Sequence, residues 1–443
     1  MAVLGFATTM AVVTGLIHLY LWKRLIRDTT RPGRGRRVGG LVMLALAVLV
    51  PATLVGTRSG VTWLAWPGYI WLAVMFYLLV ILAVLELPLL PVRIALRRRS
   101  RRPAPRPEPR PEPALVGATE PVASSPADPE PARPGVTDPA ERTAAIDPSV
   151  PPPATPPAGP APDHDPQRRL LLARGAAIFA GLTAAGLTGY GVRTALAPPR
   201  LDRVQIPLAK LPRSMDGFRI ATVSDIHLGP LNGRARTERI VAMINQLDAD
   251  VVAVVGDLVD GTVGELGPAA APLRDLRSRH GAFFVTGNHE YYSGAEEWID
   301  ELGRLGLRVL QNERLEIAAR GGVLDLAGVN DVTGASAGPG SGPDYARALG
   351  GRDPGRPVVL MAHQPVQAHE AARHGVDLQL SGHTHGGQIV PFNYLVRLQQ
   401  PVVSGLGTVD GTQVYVTNGA GFWGPPVRVG APPQVSLVEL RSA

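Results

Sequence analysis

The sequence predicts an α/β domain carried behind membrane-spanning helices, and three observations support that expectation. Four long apolar runs fall within the first 198 of the 443 residues. From about residue 200 the pattern changes to short apolar runs alternating with amphipathic helical segments, which is how α/β sheets are written in sequence. Five of those short runs lead directly into a residue able to bind a metal ion.

The first apolar run covers residues 2–22, with His18 as its only ionisable group. The second covers 39–57, the third roughly 62–92 with Glu86 near its end, and the fourth, rich in Gly and Ala, 175–192. Each approaches or exceeds the ~18–20 residues that cross a hydrocarbon core. Helices buried in a soluble domain keep a polar face, and the first three runs have none. Residues 1–98 are therefore expected to hold three transmembrane helices, and 169–198 a fourth helix or signal-anchor. His18 and Glu86 are too few for an ion path through them.

Basic residues set the orientation. They crowd 23–38 (Lys23, Arg24, Arg27, Arg31, Arg34, Arg36, Arg37), follow the third run, and precede the fourth at Arg168, Arg169 and Arg174, whereas the turn at 58–60 carries only Arg58. This puts the N-terminus outside, 99–168 inside, and everything after 193 outside: a multi-pass protein of the cell membrane with its last domain facing away from the cytoplasm. Arg168-Arg169 is taken as the basic flank of a helix in preference to a twin-arginine export signal. Ala195-Leu196-Ala197 resembles a signal-peptidase site, but Pro198 directly after it argues for a retained tether.

Residues 99–168 hold 21 of the chain's 44 prolines. Such a stretch cannot bury enough apolar surface to offset its ordering entropy, and a disordered cytoplasmic linker is expected. The sequence pI near 10.0 does not signal a nucleic-acid partner. Residues 1–198 hold 22 Lys+Arg against 12 Asp+Glu, while 199–443 hold 22 against 25. The positive charge thus flanks apolar runs, and no polyanion groove is indicated. The absence of cysteine excludes disulfides, thiolate metal sites and cysteine nucleophiles.

Within 199–443, one domain of about 245 residues, buried strands are expected at Phe218–Val223, Val251–Val255, Phe283–Thr286, Val358–Ala362 and Leu378–Ser381. Amphipathic helices are expected at Arg234–Leu247 and Glu296–Leu305. From Gln399 to Glu439 several strand-like runs follow, with no clear helix. The chemistry-bearing residues stand where α/β folds place it, past the carboxyl ends of strands. Asp225 and His227 follow the first strand, Asp257 the second after Gly256, and Asn288 and His289 the third after Gly287. His363 follows the fourth, and His383 and His385, within Gly382-His383-Thr384-His385-Gly386-Gly387-Gln388, follow the fifth. Residues two apart in an extended segment point the same way, so each such pair can converge on one site. Imidazole and carboxylate without sulfur suit Mn, Fe, Zn, Co or Ni, and so many histidines disfavour an all-oxygen Mg or Ca site. Asp257 is the candidate bridge between two cations. His280, His369 and His374 stand outside any motif and are expected at the surface.

The ordered set Asp-x-His, Gly-Asp, Gly-Asn-His-Glu, a lone His and Gly-His-Thr-His resembles the calcineurin-like metallophosphoesterase superfamily over roughly residues 217–425. The added Gly386-Gly387-Gln388 and the apolar N-terminal half resemble its bacterial membrane-associated branch. The resemblance implies a four-layer α/β/β/α sandwich with a dinuclear site. It implies Asp225, His227, Asp257 and His385 on a first metal, and Asp257, Asn288, His363 and His383 on a second. His289 matches the family's non-ligand histidine that contacts the phosphate. Two cations ~3.5–4 Å apart lower the pKa of a shared water and hold the phosphoryl oxygens for in-line attack. His289 would stabilise developing charge or protonate the departing alkoxide, and either Asp260 or Glu290 could orient it. Asn330-Asp331 is expected at the rim without a ligand role.

The sequence thus predicts a metal-dependent phosphoric ester hydrolase, phosphodiesterase favoured over monoesterase, with manganese among the expected metals. Its substrates would be either lipid-linked phosphates and phospholipid head groups or soluble phosphoesters outside the cell. Leu395, Val396, Phe422 and Trp423 could contact lipid, or could simply pack at a sandwich edge. The rival reading is a membrane receptor or scaffold that binds phosphorylated ligands without turnover, which has little need of His289.

Overall fold

The computed structural model describes residues 2–100 and 166–443. Among the described residues, 2–86 and 167–443 gather into one compact unit, while 87–100 and Pro166, all helical, belong to a second. The linker expected at 99–168 falls, over 101–165, outside the described residues.

The N-terminal half folds as α1 (Ala2–Leu21), α2 (Arg34–Arg58), α3 (Ala65–Ser100) and α4 (Pro166–Leu196). The stretches Arg34–Arg58, Thr62–Pro88 and Leu170–Leu196 are long and apolar enough to cross a membrane, and α1 is the helix formed by the first apolar run. Leu21, Met43, Val50, Ala73, Leu78, Leu82, Ala180 and Ala184 pack these helices together. The buried His18 is satisfied within them. Its Nδ1 lies 2.8 Å from the Thr14 carbonyl, and its Nε2 accepts from Trp71 Nε1 at 3.0 Å. Glu86 pairs with Arg24 at 3.0 Å. Both ionisable groups of the apolar runs thus hold the helices together.

The C-terminal half begins with β1 (Arg200–Leu208), β2 (Phe218–Val223), α5 (Arg234–Asn245), β3 (Val251–Val255), α6 (Val263–Ala270) and β4 (Ala282–Val285). It continues through α7 (Asn288–Ser293), α8 (Ala295–Arg304), β5 (Leu307–Val309), β6 (Glu313–Ala319), β7 (Gly322–Gly328) and α9 (Tyr345–Leu349). Then come β8 (Val358–Met361), α10 (Ala368–Arg373), β9 (Leu378–Ser381), α11 (Asn393–Val396), β10 (Gly405–Val409), β11 (Thr412–Val416) and β12 (Gln434–Ser442). The strands make two six-stranded sheets, ordered β1-β12-β2-β3-β4-β5 and β10-β11-β9-β8-β7-β6. In the first, β2 to β5 run parallel; in the second, β11, β9, β8 and β7 do.

Three hydrophobic cores stack these sheets into the expected α/β/β/α sandwich. Strand β3, five apolar residues in a row, shows why: a strand buried on both faces needs no polar alternation. Val251, Ala253 and Val255 point into the core between the sheets, where they meet Leu326, Val359, Met361 and Leu380 of the other sheet. Val252 and Val254 point the opposite way, onto Ile240 and Ile244 of α5 and Trp298 and Leu302 of α8. On the far side, Val358 and Leu360 of β8 pack against Tyr345 and Leu349 of α9 and Ala371 of α10. Trp298 is fully buried and donates its indole N–H to the Gly261 carbonyl at 2.9 Å. Trp298→Ala is therefore expected to cost about 3–5 kcal/mol, read as a lower urea midpoint for the domain.

The C-terminal half is mounted on α4. Gly191 lies so close to the 427–429 segment that a Cβ there would overlap the Val427 side chain. Its carbonyl accepts the Arg428 N–H at 2.9 Å. Arg236 of α5 donates to the Ala195 carbonyl at the end of the same helix, at 3.0 Å.

Candidate metal centre

The motif residues follow the carboxyl ends of β2, β3, β4, β8 and β9, neighbouring parallel strands within each sheet whose ends converge. Five of them adopt left-handed backbone: Asp225 (φ 51°), His227 (48°), Asp257 (52°), His383 (69°) and His385 (52°). Such conformations cost non-glycine residues roughly 1–3 kcal/mol each and persist only where the surroundings impose them. Here the loops impose them on one another. The His383 N–H donates to Asp225 Oδ1 and the His289 N–H to Asp257 Oδ1, both at 2.9 Å. The Asp225 N–H donates to the Gly256 carbonyl and the His227 N–H to the Asp257 carbonyl, at 3.0 and 3.1 Å. Gly256 sits at φ 72°, where a Cβ would come within 2.6 Å of His363 Nδ1, so no other residue fits.

Three groups of donor atoms result among the described residues, two of them made wholly of expected ligands and the third of His227, Asp260 and His289. In the first, Asp225, His227 and His385 converge: the two Nε2 atoms stand 3.0 Å apart, and His385 Nε2 is 3.5 Å from Asp225 Oδ1. In the second, Asp257, His363 and His383 converge, with Asn288 Oδ1 2.9 Å from His383 Nδ1. Asp257 Oδ2 lies between the groups, 3.1 Å from His363 Nε2 and 3.8 Å from His227 Nε2. All seven expected ligand positions are thus brought together.

The donor chemistry fits divalent cations. His363 Nδ1 is committed to the Val255 carbonyl at 2.9 Å, which turns the buried Nε2 inward with no hydrogen-bond partner and aims it at the Asp257 carboxylate. Burial disfavours a charged ring there, yet Asp257 outweighs it and raises the His363 pKa well above its ordinary value. A ring so placed calls for positive charge between itself and the carboxylate, which a proton or a metal ion supplies. Burial, reinforced by His363, depresses His383 to about 3. Burial and Arg428 hold His385 well below its ordinary value, so both rings are neutral, as ligation needs.

Asp260 and Glu290 have separate tasks. Asp260 Oδ1 accepts from His227 Nδ1 at 2.9 Å and from His289 Nδ1 at 2.6 Å. Burial opposes the charge on His289, but Asp260 and Asp257 together push its pKa up to about 9. Asp260 is itself held near 2, because the two histidines outweigh its burial. Glu290 does not orient His289. Fully buried, it accepts the N–H groups of Asp257 (3.0 Å), Leu258 (2.7 Å) and Gly287 (2.6 Å), tying two motifs together. Burial and Asp257 raise it to about 7. Asp331 is buried, not at a rim, and accepts from Gln364 Nε2 at 3.1 Å. His280 stacks on Phe218, His369 pairs with Asp410 and His374 with Glu370, all away from the centre.

Arg428 has no sequence signal beyond a Gly- and Pro-bounded run, yet its buried guanidinium joins the loops behind the centre. It donates to the carbonyls of Gly421, Asn418, Ala431 and His385 at 2.8–3.2 Å, and its Nη2 stands 2.9 Å from His385 Nδ1. That contact fixes the ring so that Nε2 faces Asp225 and His227. Tyr292 and Trp423 flank His289, with ring centres 5.5 and 5.9 Å away.

Comparison with known proteins agrees with this geometry. Residues 218–387 match the calcineurin-like phosphoesterase family. The chain is 40% identical over 274 residues to a transmembrane protein with metallophosphoesterase domain from Danio rerio, a match covering 60% of this chain and 63% of that one. It is 39% identical over 259 residues to an uncharacterized metallophosphoesterase of Helicobacter pylori strain J99, covering 57% and 68%. With an uncharacterized metallophosphoesterase of Aquifex aeolicus it shares 35% over 244 residues, covering 55% and 92%. The chain therefore spans less than two thirds of the length of the Danio rerio relative and most of the Aquifex one.

Proposed function

The chain belongs to the calcineurin-like metallophosphoesterases, and on that footing we propose that it is a multi-pass membrane enzyme that hydrolyses phosphodiesters at a two-metal centre outside the cytoplasm. The observation that carries the dinuclear reading is the place of Asp257, whose carboxylate lies between two separate groups of donors. Asp225, His227 and His385 would hold one divalent ion, and Asn288, His363 and His383 the other, with Asp257 shared. Once bound, such ions supply a hydroxide nucleophile near neutral pH and polarise the phosphoryl group. The protein's own part is positional. Asp260 keeps His289 protonated and aimed, so that its Nε2 can stabilise or protonate the departing oxygen. Glu290 holds the loop that carries Asp257, and Arg428 holds the ring of His385.

The outward orientation is supported by the Lys/Arg asymmetry around the helices, with α1 to α4 as the four spans. A diester, with a single charge on its phosphate, suits a half-chain whose acidic residues slightly outnumber its basic ones. Tyr292 and Trp423, exposed beside His289, favour an amphiphilic leaving group, as in a phospholipid or a lipid-linked phosphate.

Chelation gives the direct test. Full-length protein in detergent, stripped with EDTA, should lose hydrolysis of bis(p-nitrophenyl) phosphate and regain it with Mn, faster than it cleaves the monoester p-nitrophenyl phosphate. Turnover indifferent to EDTA would overturn the metal mechanism. Metal uptake with no turnover on either ester would leave a binding scaffold in its place.

A further inference from the structure

We infer that the ridge Val390–Leu398, together with Trp423, is a membrane-docking surface that seats the mouth of the metal centre in the headgroup layer of the bilayer. The inference rests on the reading of α2 to α4 as spans. Phe392 is 44% exposed, Tyr394 62%, Leu395 57% and Leu398 84%. Tyr394 and Leu398 stand four residues apart, and Leu395 and Leu398 three, so around the short α11 they share one face. Its polar residue Asn393 turns back onto Gly387 of the metal-binding loop.

The occupant of this face follows from what adjoins it. Ile389, one residue before the ridge, packs with Val427 and Val429 into the same apolar cluster as the helices, and Val390 pairs with Val429 and lies against Gly430. Those residues are seated on Gly191 of α4. The ridge is thus a continuation of the helix bundle's apolar surface at the end facing the metal centre. Aromatic residues cluster at the start of α3 on this side: Trp63 and Trp66, just before and within it, are exposed, and the Tyr69 ring lies beside Gly424, next to Trp423. Trp and Tyr gather where bilayer meets water. Arg397 lies over the Tyr394 ring at 5.7 Å, placing a cation where lipid phosphates stand, as interfacial segments do. Trp423 is 57% exposed and 5.9 Å from His289, so the reacting histidine borders this layer.

The chain has no cysteine, so one introduced thiol is a unique labelling site. Leu395→Cys and Leu398→Cys, spin-labelled and reconstituted in phosphatidylcholine–phosphatidylglycerol nanodiscs, would be read by power saturation with oxygen and a water-soluble nickel chelate. Leu44→Cys, exposed on α2, and Asp353→Cys, at the opposite end of β8 from His363, are the lipid and water references. The expected oxygen-to-nickel accessibility ratio at 395 and 398 is at least about threefold that at 353. Ratios equal to that at 353 overturn the docking surface. So do labels shielded from both reagents, which would mean that a second protein copy covers the ridge. A water-like ratio at Leu44→Cys would refute the spans themselves, and none of these outcomes depends on turnover. Unchanged thermal unfolding of each variant shows that it is folded.

Discussion

Asp257→Asn should abolish hydrolysis, with kcat/KM falling by about 10³-fold or more and metal content dropping from two ions per chain to one or none. The substitution keeps the shape of the side chain and its acceptor for the His289 N–H. It removes a negative charge that faces both donor groups, 3.1 Å from His363 Nε2 and 3.8 Å from His227 Nε2. Without it, two cations would be held near each other with less charge to screen their repulsion. Elemental analysis of the purified variant, alongside circular dichroism to show an intact fold, checks both halves. Full metal content combined with full turnover would remove the shared-carboxylate mechanism.

His289→Ala should lower kcat by roughly 10²–10⁴-fold while leaving metal content unchanged, since its ring faces Asp260 and the Tyr292–Trp423 wall. The loss should depend on the leaving group, large for an alkyl ester and small for p-nitrophenolate, which departs without a proton. An equal loss on both would assign His289 to charge stabilisation alone. Asp260→Asn gives a milder version with a second signature. Asp260 raises the His289 pKa, so its removal lowers that pKa. The protonated acid is then lost earlier as pH rises, and the basic limb of the kcat profile moves to lower pH. A limb that stays in place would show that Asp260 does no more than hold the ring.

The parts of the fold visible in the sequence are those where one physical requirement dominates. Val251–Val255 has the bounds expected of it because a strand buried on both faces leaves an unbroken apolar run, and Leu378–Ser381 has them too although Gln379 and Ser381 are buried polar residues. Helix α5 ends at Asn245, two residues short of its apolar pattern, because Leu247 packs in the core from outside the helix. Strand β1 and the β6–β7 hairpin were not expected. The residues of β1 and β6 are mixed and partly exposed and pair through backbone hydrogen bonds that side-chain pattern does not report, whereas β7 is largely buried. The convergence of the candidate ligands was legible because each motif carries its donor type at a strand end. What was not legible is whatever depends on distant loops meeting: the choice of Asp260 over Glu290 as partner of His289, the clamp made by Glu290, and Arg428, 43 residues beyond the ring it fixes.

The close seat of Gly191 on the 427–429 segment also bears on the geometry of encounter. With α4 spanning as proposed, a flexible leash would let the enzyme sample a hemisphere of solution, whereas a helix that ends inside the domain, its last carbonyls held by Arg236 and Arg428, sets a fixed working height. Collision then becomes a two-dimensional search. Turnover would follow the number of substrate molecules per unit area of membrane, and diluting the same substrate with inert lipid would slow the enzyme even at constant bulk concentration. A phosphoester carried well above that plane would pass over the site without meeting it.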